Sequence, residues 1–181
     1  MSITPPFAII ADMSTFHSYT YELVRAFDDQ GTPIQFIQVG SFRHDSSCSV
    51  LNNLNVRTQI GNEINDGPFW PTGRISVNGF NGASQLLHAG ALAVRTASPS
   101  TKIVVHLANG WDQDVISWFY QGIFKSETEE GLGGGLTPSD VDVMGFSLYP
   151  YFGTDATLSN LNSSLDCIVS TYNKVCDMSY F

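Results

Sequence analysis

Positive charge is the first thing this sequence lacks. It has 8 Lys+Arg against 17 Asp+Glu, a formal net charge of −9 at pH 7. Holding a phosphate backbone takes clustered cations, so the charge balance argues against nucleic acid as a partner. Long apolar runs are missing too. No stretch reaches the ~20 residues of a bilayer-spanning helix, and no membrane partner is expected. Cysteine is scarce: Cys48, Cys167 and Cys176 are an odd, widely spaced set with neither a metal-ligand signature nor a disulfide framework. The N-terminus carries an apolar patch, Phe7-Ala8-Ile9-Ile10, without a basic lead-in or a cleavage site, so no signal peptide is read there. Asn162-Ser163-Ser164 fits a glycosylation acceptor, which matters only for a secreted chain.

What is present argues for order. The chain has 181 residues, 43% hydrophobic and 12% aromatic, enough for one domain with a buried core. An acidic, lightly charged, aromatic-rich chain suits a neutral ligand with many hydroxyl groups.

The sequence is organised around Gln59-Ile60-Gly61-Asn62-Glu63-Ile64-Asn65-Asp66-Gly67, with Phe69-Trp70-Pro71-Thr72-Gly73 close behind. It is apolar up to Ile60 and then abruptly polar, the pattern of a buried strand ending at a cleft. There Asn62 can bind a hydroxyl and Glu63 can donate or accept a proton. The plainer reading of the same pair is a polar cap on a strand end.

The remaining elements alternate. Residues 18–30 read as a helix with Tyr19, Leu23 and Phe27 on one face, and Pro33–Gly40 as a strand. Residues 41–58 are polar and aperiodic, after which Gln59-Ile60-Gly61 repeats the strand ending Gln38-Val39-Gly40. Long structureless loops are uncommon in compact domains. Two readings of 41–58 stand: a surface insertion, or a retained intron, with Val39 joined to Gly61 in the spliced product. The second is the reading we favour.

A helix follows over 81–97, then a strand, Lys102–Leu107, ending near His106, Asn109 and Trp111. His88 on that helix reads as a packing residue. A helix over 114–124 carries Trp118 and Phe119 at core spacing. The glycine-rich 131–135 lacks the Gly-Lys-Ser/Thr of a phosphate loop and reads as a surface loop. A third strand, Asp142–Pro150, ends in Ser147 and Tyr149. The last helix, 154–174, is capped by Thr154 or Asp155, with Leu158, Leu161, Leu165, Ile168 and Val169 inward. Parallel strands with chemistry at their C-terminal ends predict an α/β fold, either a doubly wound sheet or a (β/α)8 barrel. About four β/α units are present, against the eight and ~250 residues of a full barrel.

Several segments together resemble glycoside hydrolase family 53, the arabinogalactan endo-β-1,4-galactanases. They are Ile60–Ile64, Leu86-Leu87-His88, His106–Asp112, Gly145–Pro150 and Ala156-Thr157-Leu158 through Leu165. The resemblance runs in order from about Tyr19 to Lys174, apart from the interruption at 41–58. It implies a partial (β/α)8 TIM barrel, roughly strands 4 to 6 with their helices, as one incomplete glycosidase domain over 1–181. It also implies endo-hydrolysis of β-1,4-galactosidic linkages in galactan or arabinogalactan by a retaining two-carboxylate mechanism. Glu63 would be the acid/base and Asn62 its partner at the sugar 2-hydroxyl, while His106, Asn109, Trp111 and Tyr149 would line sugar subsites. No cofactor or catalytic metal is implied, the resemblance implies a secreted protein, and a monomer is expected.

The family often has Asp where this chain has Ala108, a departure that removes one polar contact. A larger departure lies at 175–181, read as an aberrant end: a strand should start after Lys174, but Val175-Cys176-Asp177 stops short. The second carboxylate belongs on that strand, and Asp177 is set aside as a substitute because no strand would aim it. This polypeptide is therefore expected to hydrolyse galactan negligibly. The alternatives are an inert galactan-binding fragment, or a relative acting on another plant polysaccharide.

Overall fold

The computed structural model describes residues 13–29, 36–39, 57–125, 134–150 and 153–180. The glycine-rich 131–133 and most of 41–58 lie outside them. The chain runs α1 (Met13–Asp28), β1 (Phe36–Val39), β2 (Arg57–Ile60), a short α2 (Ile75–Asn78), α3 (Phe80–Ala97), β3 (Lys102–Leu107), α4 (Gln113–Phe124), β4 (Val143–Leu148), α5 (Leu158–Tyr172) and β5 (Val175–Tyr180). The five strands form one sheet in the order β1-β2-β3-β4-β5, with every pairing parallel. This is an arc of a (β/α)8 barrel. Its last strand, β5, lies beyond those expected.

Strand composition explains how the arc is covered. All six residues of β4 are buried, as are five of the six in β3. Ile60, Ile103, Val105, Leu107, Met144 and Phe146 join the core beneath the helices. Alternation turns Gln59, Val104, His106, Gly145 and Ser147 to the opposite face, which becomes polar towards the C-terminal ends. β3 and β4 are thus apolar on the helix side and mixed on the other.

α3 lies nearest the centre of this packing, against α1, α4 and β2. Its small residues allow that approach. A Cβ at Gly90 would lie 2.8 Å from Phe16 and 2.9 Å from Ile60. That slot sets the rotation of α1, which buries Phe16, Thr20 and Val24. The expected face of Tyr19 and Leu23 is only half-buried, and the helix starts five residues earlier than expected. The Phe27 side chain lies outside the described residues.

Two further expectations are corrected. α5 begins at Leu158, with Thr157 as N-cap accepting from the Asn160 N–H at 3.1 Å, and ends at left-handed Asn173. Leu161 and Ile168 face inward, whereas Leu158 and Val169 face solvent at 66% and 46% exposure. Second, Val175–Tyr180 is a strand, in register with β4 from Val143↔Val175 to Leu148↔Tyr180. Cys176 and Met178 pack against the core, so Asp177 projects from the other face, in the row His106↔Gly145↔Asp177. A strand therefore does aim Asp177, contrary to expectation.

At the opposite end of the strands, Asp142 forms a clamp. It accepts from the Ile103 N–H at 2.8 Å, pairs with Arg95 of α3, and lies 3.4 Å from the Lys102 Nζ. Arg95 also donates to the Thr101 carbonyl at 2.7 Å. His88 is half-buried against Asp140 at 3.3 Å, a packing role as expected. Trp118 is half-exposed and lies against Phe80, while Phe119 is fully buried. Among the described residues no helix is long and apolar enough to cross a membrane.

Candidate active site

Where β2 ends, the backbone turns sharply. Gly61 has φ 82°, and a Cβ there would lie 2.6 Å from Ile64, so the turn requires glycine. Glu63 follows at φ 53°, a left-handed conformation uncommon outside glycine. The turn is anchored to β3. The Glu63 N–H donates to His106 Nδ1 at 3.2 Å, and the Ile64 N–H donates to the His106 carbonyl at 3.2 Å. Asn65 then clamps Ala108 at two points, accepting from its N–H at 2.7 Å and donating to its carbonyl at 3.1 Å.

The side chains of this turn are held as well. Buried Gln59 donates from Nε2 to Asn62 Oδ1 at 3.0 Å, which fixes the orientation of the Asn62 amide. The Tyr149 hydroxyl, just beyond β4, donates to Glu63 Oε1 at 3.0 Å. Glu63 Oε2 has no hydrogen-bond partner among the described residues. Residues at the ends of β3 and β4 thus hold Glu63, His106 through its backbone N–H and Tyr149 through its carboxyl group.

His106 lies under this arrangement. It is 2% exposed, and its Nε2 is 3.3 Å from Ser147 Oγ. Burial pushes its pKa below the ordinary histidine value, against the opposing pull of Glu63, the Phe146 carbonyl and Asp177. The ring is therefore neutral at neutral pH. Because Nδ1 accepts a backbone N–H, the proton resides on Nε2 and is directed at Ser147. Both ring nitrogens are engaged, so the residue expected to line a sugar subsite lies beneath that surface.

Asn109 and Trp111 occupy the β3–α4 loop at the rim. Asn109 is exposed with φ 58°, its carbonyl accepts from the Asp112 N–H at 2.9 Å, and Trp111 is half-buried. The Gly110 N–H donates to the Ser147 carbonyl at 2.9 Å, tying this loop to β4. Asn62, Glu63, His106 and Tyr149 therefore form one connected set, with Asn109 and Trp111 beside it. Trp70 is 50% exposed, and the Arg74 guanidinium covers one face of its ring at 4.0 Å. Among the described residues no group of three His, Cys, Asp or Glu could hold a metal ion.

Sequence reading missed Gln59 and Asn65. A glutamine inside an apolar strand was a usable signal, because a buried amide needs a partner. Asn65 carried none, since its partners are 43 residues away.

Parallel strands with helices on one face, and a carboxyl, an amide and a phenol at their C-terminal ends, match one arc of a (β/α)8 barrel with polar groups on the face where such barrels carry their sites. Its sequence relatives narrow that class. The profile of glycosyl hydrolase family 53 matches residues 50–180, and the chain belongs to that family. The match begins later than Tyr19 and runs on through β5. The chain is 43% identical over 133 residues to an arabinogalactan endo-β-1,4-galactanase of Thermothelomyces thermophilus, covering 71% of this chain and 37% of the relative. It is 40% identical over 132 residues to arabinogalactan endo-β-1,4-galactanase A of Emericella nidulans, covering 70% and 35%.

Among solved structures, one from a study of two fungal β-1,4-galactanases aligns with TM-score 0.70 and 31% identity. It covers 92% of this chain and 43% of that one. A family 53 catalytic domain from Ignisphaera aggregans shares the fold, with TM-score 0.62 and 23% identity over 96% of this chain and 37% of that one. The chain thus spans a little over a third of the length of the relatives it matches.

Proposed function

We propose that this chain carries the acid/base arm of an endo-β-1,4-galactanase acting on galactan or arabinogalactan with retention. The observation that carries the reading is the Glu63 carboxyl, held at one oxygen by Tyr149, open at the other among the described residues, and flanked by an oriented Asn62. A retaining cleavage needs two carboxyl groups about 5–5.5 Å apart: one protonates the leaving oxygen while the other attacks the anomeric carbon. Glu63 is assigned the first role and, after the leaving group departs, activates the water that releases the sugar.

With its Oδ1 occupied by Gln59, the Asn62 amide group is available to donate to the sugar 2-hydroxyl. Trp111 and Tyr149 offer flat faces for sugar rings, and Asn109 a directional polar contact at the rim. The partner is galactan or arabinogalactan. The proposed setting is extracellular, where a polymer of that size is met, and the proposed state is a monomer.

Calorimetry with β-1,4-galactotetraose, together with a reducing-end assay on galactan, tests this reading. Binding is expected in the galactan series, weakened at least tenfold by Trp111→Ala, with any turnover lost in Glu63→Gln. Equal affinity for xylo-, manno- or gluco-oligosaccharides would move the assignment to another polysaccharide. Absence of binding to all four series would leave an inert fragment.

A further inference from the structure

The left-handed turn at Glu63 raises a question that the acid/base assignment leaves open: what holds a non-glycine residue there? Such a conformation is strained for a residue with a Cβ and persists only when its surroundings enforce it. Two successive amides of the turn, those of Glu63 and Ile64, go to the side chain and the carbonyl of a single residue, His106.

We infer that His106 is a positioning residue for Glu63: its unprotonated Nδ1 takes the Glu63 N–H and holds the left-handed turn that presents the carboxyl group. The inference rests on the acid/base reading of Glu63 for its functional meaning, but the coupling itself does not depend on it.

The surroundings of the ring are built for this arrangement. Its Nε2 faces Ser147 Oγ, so the other nitrogen keeps its lone pair for the amide. On β4 the residue in register is Gly145, where a Cβ would lie 2.9 Å from the ring carbon Cδ2. The missing side chain makes room for the ring. The charged groups facing it are Glu63 from the β2 turn and Asp177 from β5, while Ser147 and the Phe146 carbonyl are its polar neighbours on β4.

Both carboxylates favour the imidazolium, and burial opposes it more strongly. When the ring is protonated, Nδ1–H meets the Glu63 N–H donor to donor. The hydrogen bond is lost and the turn is released. Acid would therefore disengage the Glu63 carboxyl by unseating its backbone, a step distinct from protonation of the carboxyl itself.

NMR of the whole chain tests this without any sugar. The His106 ring nitrogens and the Glu63 amide are followed through a pH titration, in the wild type, in Glu63→Gln to remove the carboxyl titration, and in His106→Asn. The Asn Oδ1 can take the amide but cannot titrate. Expected are the Nε2–H tautomer at neutral pH, and a Glu63→Gln amide transition sharing the His106 midpoint, below the ordinary histidine range. In His106→Asn that transition should be absent, with the amide held near its high-pH position. An Nδ1–H tautomer, or an amide at position 63 that ignores the His106 titration, would overturn the inference, as would a transition unchanged in His106→Asn. Failure to bind galactotetraose leaves these readouts untouched, so the two proposals fail separately.

Discussion

Glu63 gains its place from groups that do not neighbour it in sequence. Tyr149 is 86 positions away and His106 is 43 positions away, yet each reaches it directly. Its own strand contributes only the glycine turn and the Gln59–Asn62 contact. A different polar residue is less well served. Thr20 on α1 is fully buried, and its hydroxyl has no hydrogen-bond partner among the described residues. A desolvated hydroxyl left unpaired costs about 1–3 kcal/mol. Thr20→Val keeps the shape and removes that cost, so it is expected to raise the thermal midpoint by about 2–4 °C for each kcal/mol recovered, measured by calorimetry. An unchanged or lower midpoint would show that the hydroxyl is satisfied after all.

Among the elements, α3 fixes how close its neighbours come. Gly90→Ala would place a methyl group against Phe16 and Ile60, neither of which can withdraw without moving α1 or β2. Overpacking of this kind costs about 1–3 kcal/mol, and urea titration should find that loss. The other end of α3 is tied to the sheet by Arg95 and Asp142. Burial alone would raise the Asp142 pKa, but the Ile103 N–H, Arg95 and Lys102 outweigh it and hold the pKa below the usual carboxylate value. A carboxyl depressed in the folded state stabilises it above the unfolded pKa of about 3.9. That contribution is lost as pH falls through the lower, folded value. Denaturation of wild type and Asp142→Asn across pH should show a stability gap that is constant near neutrality and closes in acid. A gap independent of pH would remove the ion pair from the account.

For the molecule as a whole, β1 and β2 pose the sharpest question. They end on similar pairs and lie side by side, with Gln38 opposite Gln59 and Val39 opposite Ile60. If residues between them derive from a retained intron, the spliced product has one strand here, with Val39 followed by Gly61-Asn62-Glu63. Sequencing the transcript across codons 36–66 is expected to find that junction. A transcript that reads through would make the paired β1 and β2 the mature arrangement.

Much of this was legible from residues alone. Lys102–Leu107 and Asp142–Leu148 declare themselves as strands by β-branched and apolar runs, and the abrupt change to polar residues after Ile60 marks a strand end beside a cleft. Local chemistry decides such features, because strand propensity, glycine turns and helix periodicity act over a few residues. Helix faces were less secure. The stripe of α1 turned by a residue because Gly90 offers a slot to Phe16, and α5 starts at Leu158 because Thr157 supplies the cap. The strand at Val175–Tyr180 was missed because its composition is weak, and pairing with β4 supplies what propensity does not. The sequence by itself determined the strands, the parallel α/β class and the identity of Glu63 and Asn62 as candidates. Only the tertiary structure decided that His106 supports Glu63 from below, that Tyr149 holds its carboxyl and that Asp177 shares their face, because hydrogen bonds and register across strands depend on pairings between residues dozens of positions apart.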